Sequence, residues 1–295
     1  MNTINRFAFL VCTRDRLALM VDCIASIEAQ QVPDGVTVDI VIADNSERCE
    51  EPALRTICPR AHYVYQPRRG YSNVRNAALD CALKNTAADL FVFIDDDVLA
   101  APDLLAQHMK TLHWFSADVS AGKSAPSKHK DGDAISRVGT ANVAFKRWIA
   151  ERCLFCPEAN LLGAEDIEFF YDAAKLGAKM VHAPKAMISG NAGVSTIYPN
   201  FDILIMSRTE ARNSIYLERV RRGTFAAAKR YAMSYLPRLF KGYLAGVASS
   251  FTGCARLHTA SRKHLAICRG ATEGLFMCGI DRDMAKRGII VDVAN

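Results

Sequence analysis

The chain has 295 residues, of which half are hydrophobic and 23% are charged, as in ordinary globular proteins rather than disordered or fibrous ones. No stretch approaches the ~20 uninterrupted apolar residues of a membrane-spanning helix. The N-terminus has no signal-peptide pattern. We therefore expect a cytoplasmic protein. The cysteines include one CxxC pair, Cys153 and Cys156, but no second pair that would complete a zinc site, so reduced thiols are expected.

The net charge of +6 is distributed unevenly along the chain. Residues 219–272 contain 11 Lys and Arg and no Asp or Glu, which leaves 26 basic and 31 acidic residues elsewhere. A basic block of this kind is typical of a segment that meets an anionic partner, such as a membrane surface, phosphate groups or nucleic acid.

The first hundred residues alternate between apolar strands and helices. The predicted strands are Phe7–Cys12, Val36–Ala43, Tyr63–Tyr65 and Leu90–Ile94, and helices are predicted at about 15–27 and 72–83. This alternation predicts right-handed βαβ units and an α/β fold, in which a mostly parallel central sheet has helices on both faces.

The remaining elements are less regular. Helices are predicted at Asp103–Phe115, from about Glu165, at Ile203–Arg222 and at Phe225–Phe251, and strands at Val119–Gly122, Thr140–Phe145 and Lys179–His182. The polar segment Lys123–Arg137 is expected to be a mobile loop.

Polar residues follow three of the early strands, at Thr13–Asp15, Asp44–Ser46 and Asp95–Asp97. Ligands of such sheets bind outside the carboxyl ends of the strands, so a site is predicted there. On an extended chain Asp95 and Asp97 would project to one face and Asp96 to the other. Two carboxylates on one face form a hard-oxygen site for Mn²⁺ or Mg²⁺.

Two other enzyme classes use aspartate clusters and match less well. A haloacid-dehalogenase-type phosphatase carries its aspartates after the first strand, whereas this triplet follows the fourth. A prenyl synthase carries them on a helix, whereas Val98 and Leu99 continue the end of a strand here.

Six segments together resemble the family 2 glycosyltransferases, which have the GT-A fold. They are CTRDR (Cys12–Arg16), ADNS (Ala43–Ser46), GYSNVRNAALD (Gly70–Asp80), FIDDDV (Phe93–Val98), GTANVAFKR (Gly139–Arg147) and GAEDIEFF (Gly163–Phe170). Within the family the chain is most similar to bacterial exopolysaccharide enzymes of the succinoglycan type. The resemblance implies a GT-A domain over 1–222, with a nucleotide-binding half (1–98) and an acceptor half (99–222), and a basic, mainly helical extension over 223–295.

The resemblance also implies an activity and the residues that carry it. A sugar would pass with inversion from a nucleotide-sugar, expected to be a UDP-sugar, to a saccharide or lipid-linked saccharide. The implied donor-binding residues are Thr13, Arg14, Asp44, Arg75, Asp95 and Asp96, and the implied ligands of Mn²⁺ or Mg²⁺ are Asp95 and Asp97. Asp166 would be the catalytic base, and Glu165 and Asn142 would bind the acceptor.

Structural alternatives stay open for several of these residues. Acidic residues in the first turn of a helix stabilise it through the helix dipole, which would account for Glu165 and Asp166 without catalysis. Asn142 would otherwise be a surface strand residue. Many family members carry a histidine about 20 residues after the Glu-Asp pair as a further metal ligand. Here Gly190 stands near that place, and His182 comes earlier and is expected to be a partly buried strand residue.

The basic extension carries apolar residues at helical spacing. They are Phe225, Ala228, Ala232, Tyr235, Leu236, Leu239, Tyr243 and Val247, flanked by Lys229, Arg230, Arg238 and Lys241. This pattern predicts peripheral binding to the anionic, cytosolic face of a bacterial inner membrane, with packing against the domain as the alternative. No nucleic-acid motif accompanies the charge, so no nucleic-acid partner is expected.

Two other functions remain open at this stage. One is a non-catalytic, nucleotide-sugar-binding subunit of a polysaccharide assembly complex. The other is a sugar nucleotidyltransferase, although the chain lacks a glycine-rich phosphate loop after its first strand.

Overall fold

A computed structural model describes residues 6–126, 128–156, 165–190, 211–212, 215, 218–219, 223–252 and 255–276. The chain forms two compact units. The first comprises Met1–Pro157 and Asp166–Ile197, and the second comprises Glu158–Glu165 and Tyr198–Asn295. The second unit therefore includes residues before 222, the boundary that the sequence predicted.

The first unit contains most of the regular structure, and only the first residue of its last helix, Glu165, is grouped with the second unit. In chain order its elements are β1 (Arg6–Thr13), α1 (Leu17–Glu28), β2 (Thr37–Asp44), α2 (Glu51–Ile57), β3 (His62–Tyr65), α3 (Tyr71–Asn85), β4 (Leu90–Asp95), β5 (Val98–Ala100), α4 (Leu104–Trp114), β6 (Val119–Lys123), β7 (Asn142–Lys146), α5 (Arg147–Arg152), α6 (Glu165–Lys175) and β8 (Met180–Gly190).

The strands form a mixed sheet in the order β3-β2-β1-β4-β7-β6-β8-β5. Neighbouring strands from β3 to β4 are parallel, and β7 is antiparallel to both β4 and β6. The strands β1, β2, β4 and β6 therefore run in one direction, and their carboxyl ends meet at one edge. The α/β fold class predicted from the sequence is confirmed.

The centre of the sheet is buried on both faces. Phe7–Val11 of β1 and Leu90–Ile94 of β4 are almost completely inaccessible to solvent. Alternate residues of these strands enter two separate hydrophobic clusters, one with α3, α5 and α6 and the other with α1 and α4. Coverage of both faces explains why the two strands are continuous apolar runs in the sequence.

Part of the segment that was expected to be a mobile loop, residues 132–135, is hydrogen-bonded to β8, so the expectation is wrong for this part. The backbone NH of Ile135 donates to the carbonyl of Met180, and the NH of His182 donates to the carbonyl of Asp133. Gly132, at φ +87°, donates to the carbonyl of His182. These bonds involve the backbone, which the polar composition of the segment does not reveal.

The second unit contains three described helices: α7 (Thr224–Ser234), α8 (Leu236–Thr252) and α9 (Ala255–Phe276). Its small core includes Ala227, Tyr235, Cys268 and Ala271, all of them buried. The helix predicted at Ile203–Arg222 falls largely outside the described residues. Across the described residues, none of the helices combines the length and the hydropathy needed to cross a bilayer.

Candidate active site

The aspartate triplet lies where β4 ends. The strand stops at Asp95, and the chain turns through Asp96 and Asp97 before β5 begins. Asp96 and Asp97 therefore lie in a turn and do not continue an extended strand. Asp96 is buried while Asp95 and Asp97 are partly exposed, and a shared face for Asp95 and Asp97 stays a prediction. The guanidinium of Arg16 lies between them, with Nη1 2.9 Å from Oδ1 of Asp96 and 3.0 Å from Oδ2 of Asp97.

Asp96 is the buried member of the triplet and connects it to neighbouring segments. Its side chain is buried, and the Thr13 hydroxyl donates to its Oδ2 at 2.7 Å while Arg16 binds its Oδ1. These bonds join the end of β1 and the start of α1 to the turn after β4. Thr13 and Asp96 thus hold the strand ends together, and their contact with a donor stays a prediction.

Asp95 carries charge that the protein neutralises only in part. Its pKa is raised to about 6, first by burial and then by the negative charges of Asp97, Asp96 and Asp166, while Arg75 opposes the shift. The carboxylates of Asp97, Asp96 and Asp166 and the guanidinium of Arg75 therefore lie close enough to Asp95 to change its pKa. A bound cation would relieve this excess of negative charge.

Arg75 is held in the first turns of α3 by aromatic rings. Its guanidinium carbon lies 5.3 Å from the ring centre of Tyr71 and 5.6 Å from that of Phe155, as in cation–π contacts. Asn76 fixes Phe155 by donating to its carbonyl at 2.9 Å and accepting from its NH at 2.8 Å. The motif that begins α3 therefore positions a cation near Asp95.

Asp166 lies in the first turn of α6. Its Oδ1 accepts from the NH of Ile167 at 2.7 Å, and its Oδ2 faces Gly139, where an added Cβ would lie 3.3 Å away. Phe169 and Phe170 are buried and fix the helix against the first unit's core. The negative charge of Asp166 raises the pKa of Asp95, which requires the two carboxylates to be near each other. The predicted base therefore lies near a predicted metal ligand.

Asp44 is a fully buried carboxylate that accepts hydrogen bonds from the loop after β2 and from β3. Its Oδ1 accepts from the NH of Ser46 at 2.8 Å, and its Oδ2 accepts from the NH of Glu50 and from the hydroxyl of Tyr63 at 2.8 and 2.6 Å. Asp44 thus shapes the loop after β2. Its predicted contact with the nucleotide stays a prediction.

Arg14 is also buried, beside that loop. Its Nη1 donates to the carbonyl of Asn45, and its Nη2 lies 3.4 Å from a carboxylate oxygen of Glu47. The structure therefore places Arg14 next to the end of β2, as the resemblance implied, and its role in donor binding stays a prediction.

Asn142 is buried and not on the surface. Its Nδ2 donates to the carbonyl of Ala186 at 3.0 Å, so its Oδ1 faces Nε2 of His108 at 2.9 Å. Because a carboxamide oxygen can only accept, His108 carries its proton on Nε2 and accepts from the Ser120 hydroxyl through Nδ1. Complete burial lowers the pKa of His108 to about 4. These bonds give Asn142 a structural role, and acceptor binding stays a prediction.

A close approach beside Asn142 requires glycine. A Cβ added to Gly122 would lie 2.2 Å from Nδ2 of Asn142 and 2.5 Å from the carbonyl oxygen of Ala186, distances that no real Cβ adopts. Gly122 therefore allows β6 to lie against the carboxamide and β8 at the same time.

The place of the family's additional histidine is occupied by the end of β8. Gly190 pairs with Val98, which directly follows the aspartate triplet, and the sequence contains no histidine from 183 to 257. His182 is buried in β8, where its ring stacks on His129 with centroids 4.1 Å apart. Glu165 begins α6 and is buried, and its acceptor role stays a prediction.

Comparison with known proteins identifies the first half of the chain. Residues 8–151 match the model of the family described as Glycosyl transferase family 2. This part of the chain belongs to glycosyltransferase family 2. The protein is accordingly a transferase. No curated protein matches the chain.

Two solved structures resemble the glycosyltransferase chain in fold. The mannosyltransferase PcManGT from Pyrobaculum calidifontis, solved in complex with GDP-Man and Mn²⁺, has a TM-score of 0.63 and 17% identity, covering 92% of this chain and 87% of its own. TarS from S. aureus has a TM-score of 0.51 and 14% identity, covering 91% of this chain and 55% of its own, so the present chain spans about half of TarS. At these identities the likeness shows the fold, which is GT-A.

The glycosyltransferase site offers few protein ligands to a metal ion. Across the described ranges, no group of three His, Cys, Asp or Glu side chains is arranged to hold one. Asp95 and Asp97 nevertheless fit an open site, because Mg²⁺ and similar ions take one or two carboxylates and complete their shell with substrate phosphates and water. The raised pKa of Asp95 is consistent with a carboxylate that awaits a cation.

Sequence reasoning missed two contributors to this site. Arg16 stands in the CTRDR segment, yet its ion pairs with Asp96 and Asp97 join residues about 80 positions apart. Gly139 leads the GTANVAFKR segment and makes room for the Asp166 carboxylate. Both residues lie in quoted motifs, so the signal was present, but only the folded chain shows what they contact.

Proposed function

We propose that this glycosyltransferase moves a sugar from a nucleotide-sugar donor to a saccharide or lipid-linked saccharide, with inversion at the anomeric carbon and with the help of a divalent cation. The observation that carries the proposal is the concentration of charge around Asp95, which lies within reach of Asp97, Asp166 and Arg75. The complex of PcManGT with GDP-Man and Mn²⁺ supports a donor and a cation of the same chemical classes here.

Asp95 and Asp97 would hold the cation, together with oxygens of the donor diphosphate. A bound Mn²⁺ or Mg²⁺ neutralises the negative charge that develops on the departing nucleoside diphosphate. Arg75 adds a positive charge at the same sheet edge, and its aromatic neighbours keep it there. Arg16 holds the turn that presents Asp97, because it binds both carboxylates of that turn.

Asp166 would act as the base. A sugar hydroxyl becomes a competent nucleophile when a carboxylate takes its proton. The hydroxyl oxygen bonds to the anomeric carbon while the bond from that carbon to the diphosphate oxygen breaks, and the proton passes to Asp166. Attack opposite the leaving group inverts the configuration. The NH of Ile167 and the buried rings of α6 hold the Asp166 carboxylate in place.

The biological setting follows from the sequence resemblance. A role in bacterial surface or exopolysaccharide synthesis agrees with an acceptor that is itself a saccharide, and the resemblance favours a UDP-sugar as donor. The GDP-sugar of PcManGT makes GDP the first alternative to test.

The test is a donor panel. UDP-, GDP- and dTDP-sugars are titrated into the protein with Mn²⁺, with Mg²⁺ and with EDTA, by calorimetry and by thermal shift. We expect one nucleotide class to bind in a cation-dependent way. Asp97→Ala should abolish that dependence, while Asp80→Ala, which removes an exposed acid of α3, should not.

Two outcomes would overturn the proposal. One is the absence of binding and stabilisation by every nucleotide-sugar. The other is full transfer activity of Asp97→Ala in excess EDTA, which would remove the cation from the mechanism.

A further inference from the structure

Helix α8 turns its small residues toward its neighbour in the second unit. A Cβ added to Gly242 would lie 2.8 Å from Cβ of His264 in α9, and one added to Gly246 would lie 2.9 Å from Oγ of Ser261. Ser249, on the same side of α8, is buried. The helices therefore approach closely through glycine and serine and not through large apolar side chains.

The large apolar side chains that the structure describes on α8 face solvent. They are Leu236, Leu239, Phe240, Tyr243, Leu244 and Val247, whose exposed fractions lie between 39% and 66%. Their spacing of three and four residues places them in one stripe along the helix, here named the α8 apolar face. Isolated exposed apolar residues are common, but a contiguous stripe of six is typical of a surface that binds something.

The surroundings of the α8 apolar face are positively charged. Among the described side chains of the three helices, six basic ones are exposed: Lys229, Arg238, Lys241, Arg262, Lys263 and Arg269. No Asp or Glu occurs from 219 to 272. An apolar stripe surrounded by positive charge complements a partner with a negatively charged surface and an apolar interior.

We infer that the α8 apolar face binds the surface of an anionic phospholipid bilayer, with α8 lying in the interface and the basic side chains contacting headgroup phosphates. An interfacial position suits a 17-residue helix, and none of the described helices qualifies to span a membrane. A helix that combines an apolar face with flanking Lys and Arg matches the two layers of an anionic bilayer surface, where acyl chains lie beneath negatively charged headgroups.

The structure changes the surface that the sequence predicted. Tyr235 was part of the predicted stripe, but it is buried in the core of the second unit. Phe240 and Leu244 were not part of it, and they are among the most exposed apolar residues of α8. The predicted stripe ran across two helices, whereas the α8 apolar face lies on one, because the chain starts a new helix at Leu236. Phe225 and Met233 of α7 are exposed as well and do not belong to this face.

The test measures flotation of the full chain with vesicles, without donor or cation, so that its result is independent of the proposed transfer reaction. Vesicles of equal parts phosphatidylcholine and phosphatidylglycerol should bind the protein, and vesicles of phosphatidylcholine alone should bind it at least tenfold more weakly. The double variant Phe240→Glu/Leu244→Glu should lose at least tenfold in binding to the anionic vesicles.

A matched control separates the α8 apolar face from general hydrophobicity. Trp114→Glu/Leu176→Glu removes two apolar side chains of the first unit that are 75% and 50% exposed, compared with 65% and 51% for Phe240 and Leu244. This control should bind within twofold of wild type. Both double variants alter exposed residues, so their circular dichroism and melting temperatures should match wild type.

The charge contribution is tested separately. Lys241→Gln/Arg262→Gln should weaken binding at low salt, while Lys128→Gln/Lys130→Gln, which removes two exposed lysines of the first unit, should not. Raising the ionic strength from about 0.1 M to about 1 M shortens the Debye length from about 10 Å to about 3 Å, so the two proteins that differ in Lys241 and Arg262 should converge.

Four results would overturn the inference. If the wild-type protein binds neither vesicle type, the chain does not bind a membrane. If Phe240→Glu/Leu244→Glu binds anionic vesicles as well as its control variant does, the α8 apolar face is not the surface that binds them. A wild-type dimer that this variant converts to a monomer, without any vesicle binding, would assign the face to a second copy of the chain. Vesicle binding that appears only after removal of residues 277–295, which lie outside the described part, would assign the face to that segment.

Discussion

Two aspartates stand at the carboxyl ends of strands β2 and β4, Asp44 fully buried and Asp95 partly exposed, and they differ in how their charge is compensated. Asp44, after β2, accepts hydrogen bonds from the NH groups of Ser46 and Glu50 and from the Tyr63 hydroxyl. Asp95, after β4, has a pKa raised to about 6 by burial and by other carboxylates. Burial at a strand end is therefore not enough to indicate a ligand site.

The difference distinguishes acidic residues that stabilise the fold from acidic residues that bind a ligand. Three hydrogen bonds to a buried carboxylate stabilise the loop that donates them. A buried carboxylate among like charges instead destabilises the folded protein until a cation arrives. Substitution of a polar residue at the site should therefore lower either stability or activity, depending on which of the two kinds it is.

The largest effect is expected at Asp166, which belongs with the acids that act on a ligand. Asp166→Asn keeps the size of the side chain and its acceptor for the NH of Ile167, but it cannot take a proton. Turnover should fall by about 10²–10⁴-fold, whereas donor affinity should change little. Steady-state kinetics and calorimetric donor titration measure the two quantities.

Asp172→Asn, two turns further along α6, is the matched control for Asp166→Asn and should stay within a few-fold of wild type. If Asp166→Asn does so as well, the base is another residue, and Glu165 is the first to examine.

Asp44→Ala should act mainly on stability. It leaves two NH groups and the Tyr63 hydroxyl without their acceptor, which corresponds to about 2–4 kcal/mol in the free energy of unfolding. Thermal denaturation should show a lowered melting temperature, and Asp39→Ala, earlier in β2 and partly exposed, should show little change. An unchanged melting temperature together with weaker donor binding would instead support the nucleotide contact predicted from the sequence.

Asn142→Ala should resemble Asp44→Ala with a smaller effect. The loss of the carboxamide leaves Nε2–H of His108 and the carbonyl of Ala186 unpaired, at a cost of about 1–3 kcal/mol. The acceptor KM should remain within twofold of wild type. A raised acceptor KM at an unchanged melting temperature would place Asn142 in the acceptor site after all.

Asp95→Asn should have the smallest effect on stability and the opposite sign. The pKa of Asp95 is above its ordinary value of 3.8, so the unfolded chain releases this proton at a lower pH than the folded one. Between about pH 4 and pH 6 the wild-type protein therefore loses stability as the pH rises, and above about pH 6 the full penalty remains.

Without cation, Asp95→Asn should melt on the order of a few degrees above wild type at pH 7–8, and the difference should shrink as the pH falls through 6. Thermal shift in EDTA from pH 5 to pH 8 measures this. A variant that is less stable than wild type throughout would show that the Asp95 carboxylate is fully compensated inside the protein.

Much of the first unit could be predicted from the sequence because its central strands are long apolar runs that end in polar residues. The short elements were missed because they contain too few residues and too few buried side chains to show a pattern. Helix α2 has seven residues with one buried side chain, and β5 has three residues that pair only with the far end of β8. Neither is long enough to show a period.

The candidate site was predicted in its residue types but not in its contacts. The aspartates and Arg75 follow from strand ends and from the family resemblance. The sharing of Arg16 between Asp96 and Asp97 depends on a turn that replaces an extended strand, and the burial of Asn142 depends on α4 and β8 closing over it. Contacts between distant segments leave no local pattern in a sequence.

The close packing at Gly122 has a consequence for how this chain can vary during evolution. A Cβ at this position would overlap the Asn142 carboxamide and the carbonyl of Ala186, while the same carboxamide is held by His108. Substitution of the glycine is therefore expected to be selected against, and a smaller residue at 142 would not relieve the constraint, because the overlap with the backbone carbonyl of Ala186 would remain. In related chains a glycine should therefore persist at position 122, even where the hydrogen-bonded residues at 108 and 142 are exchanged together.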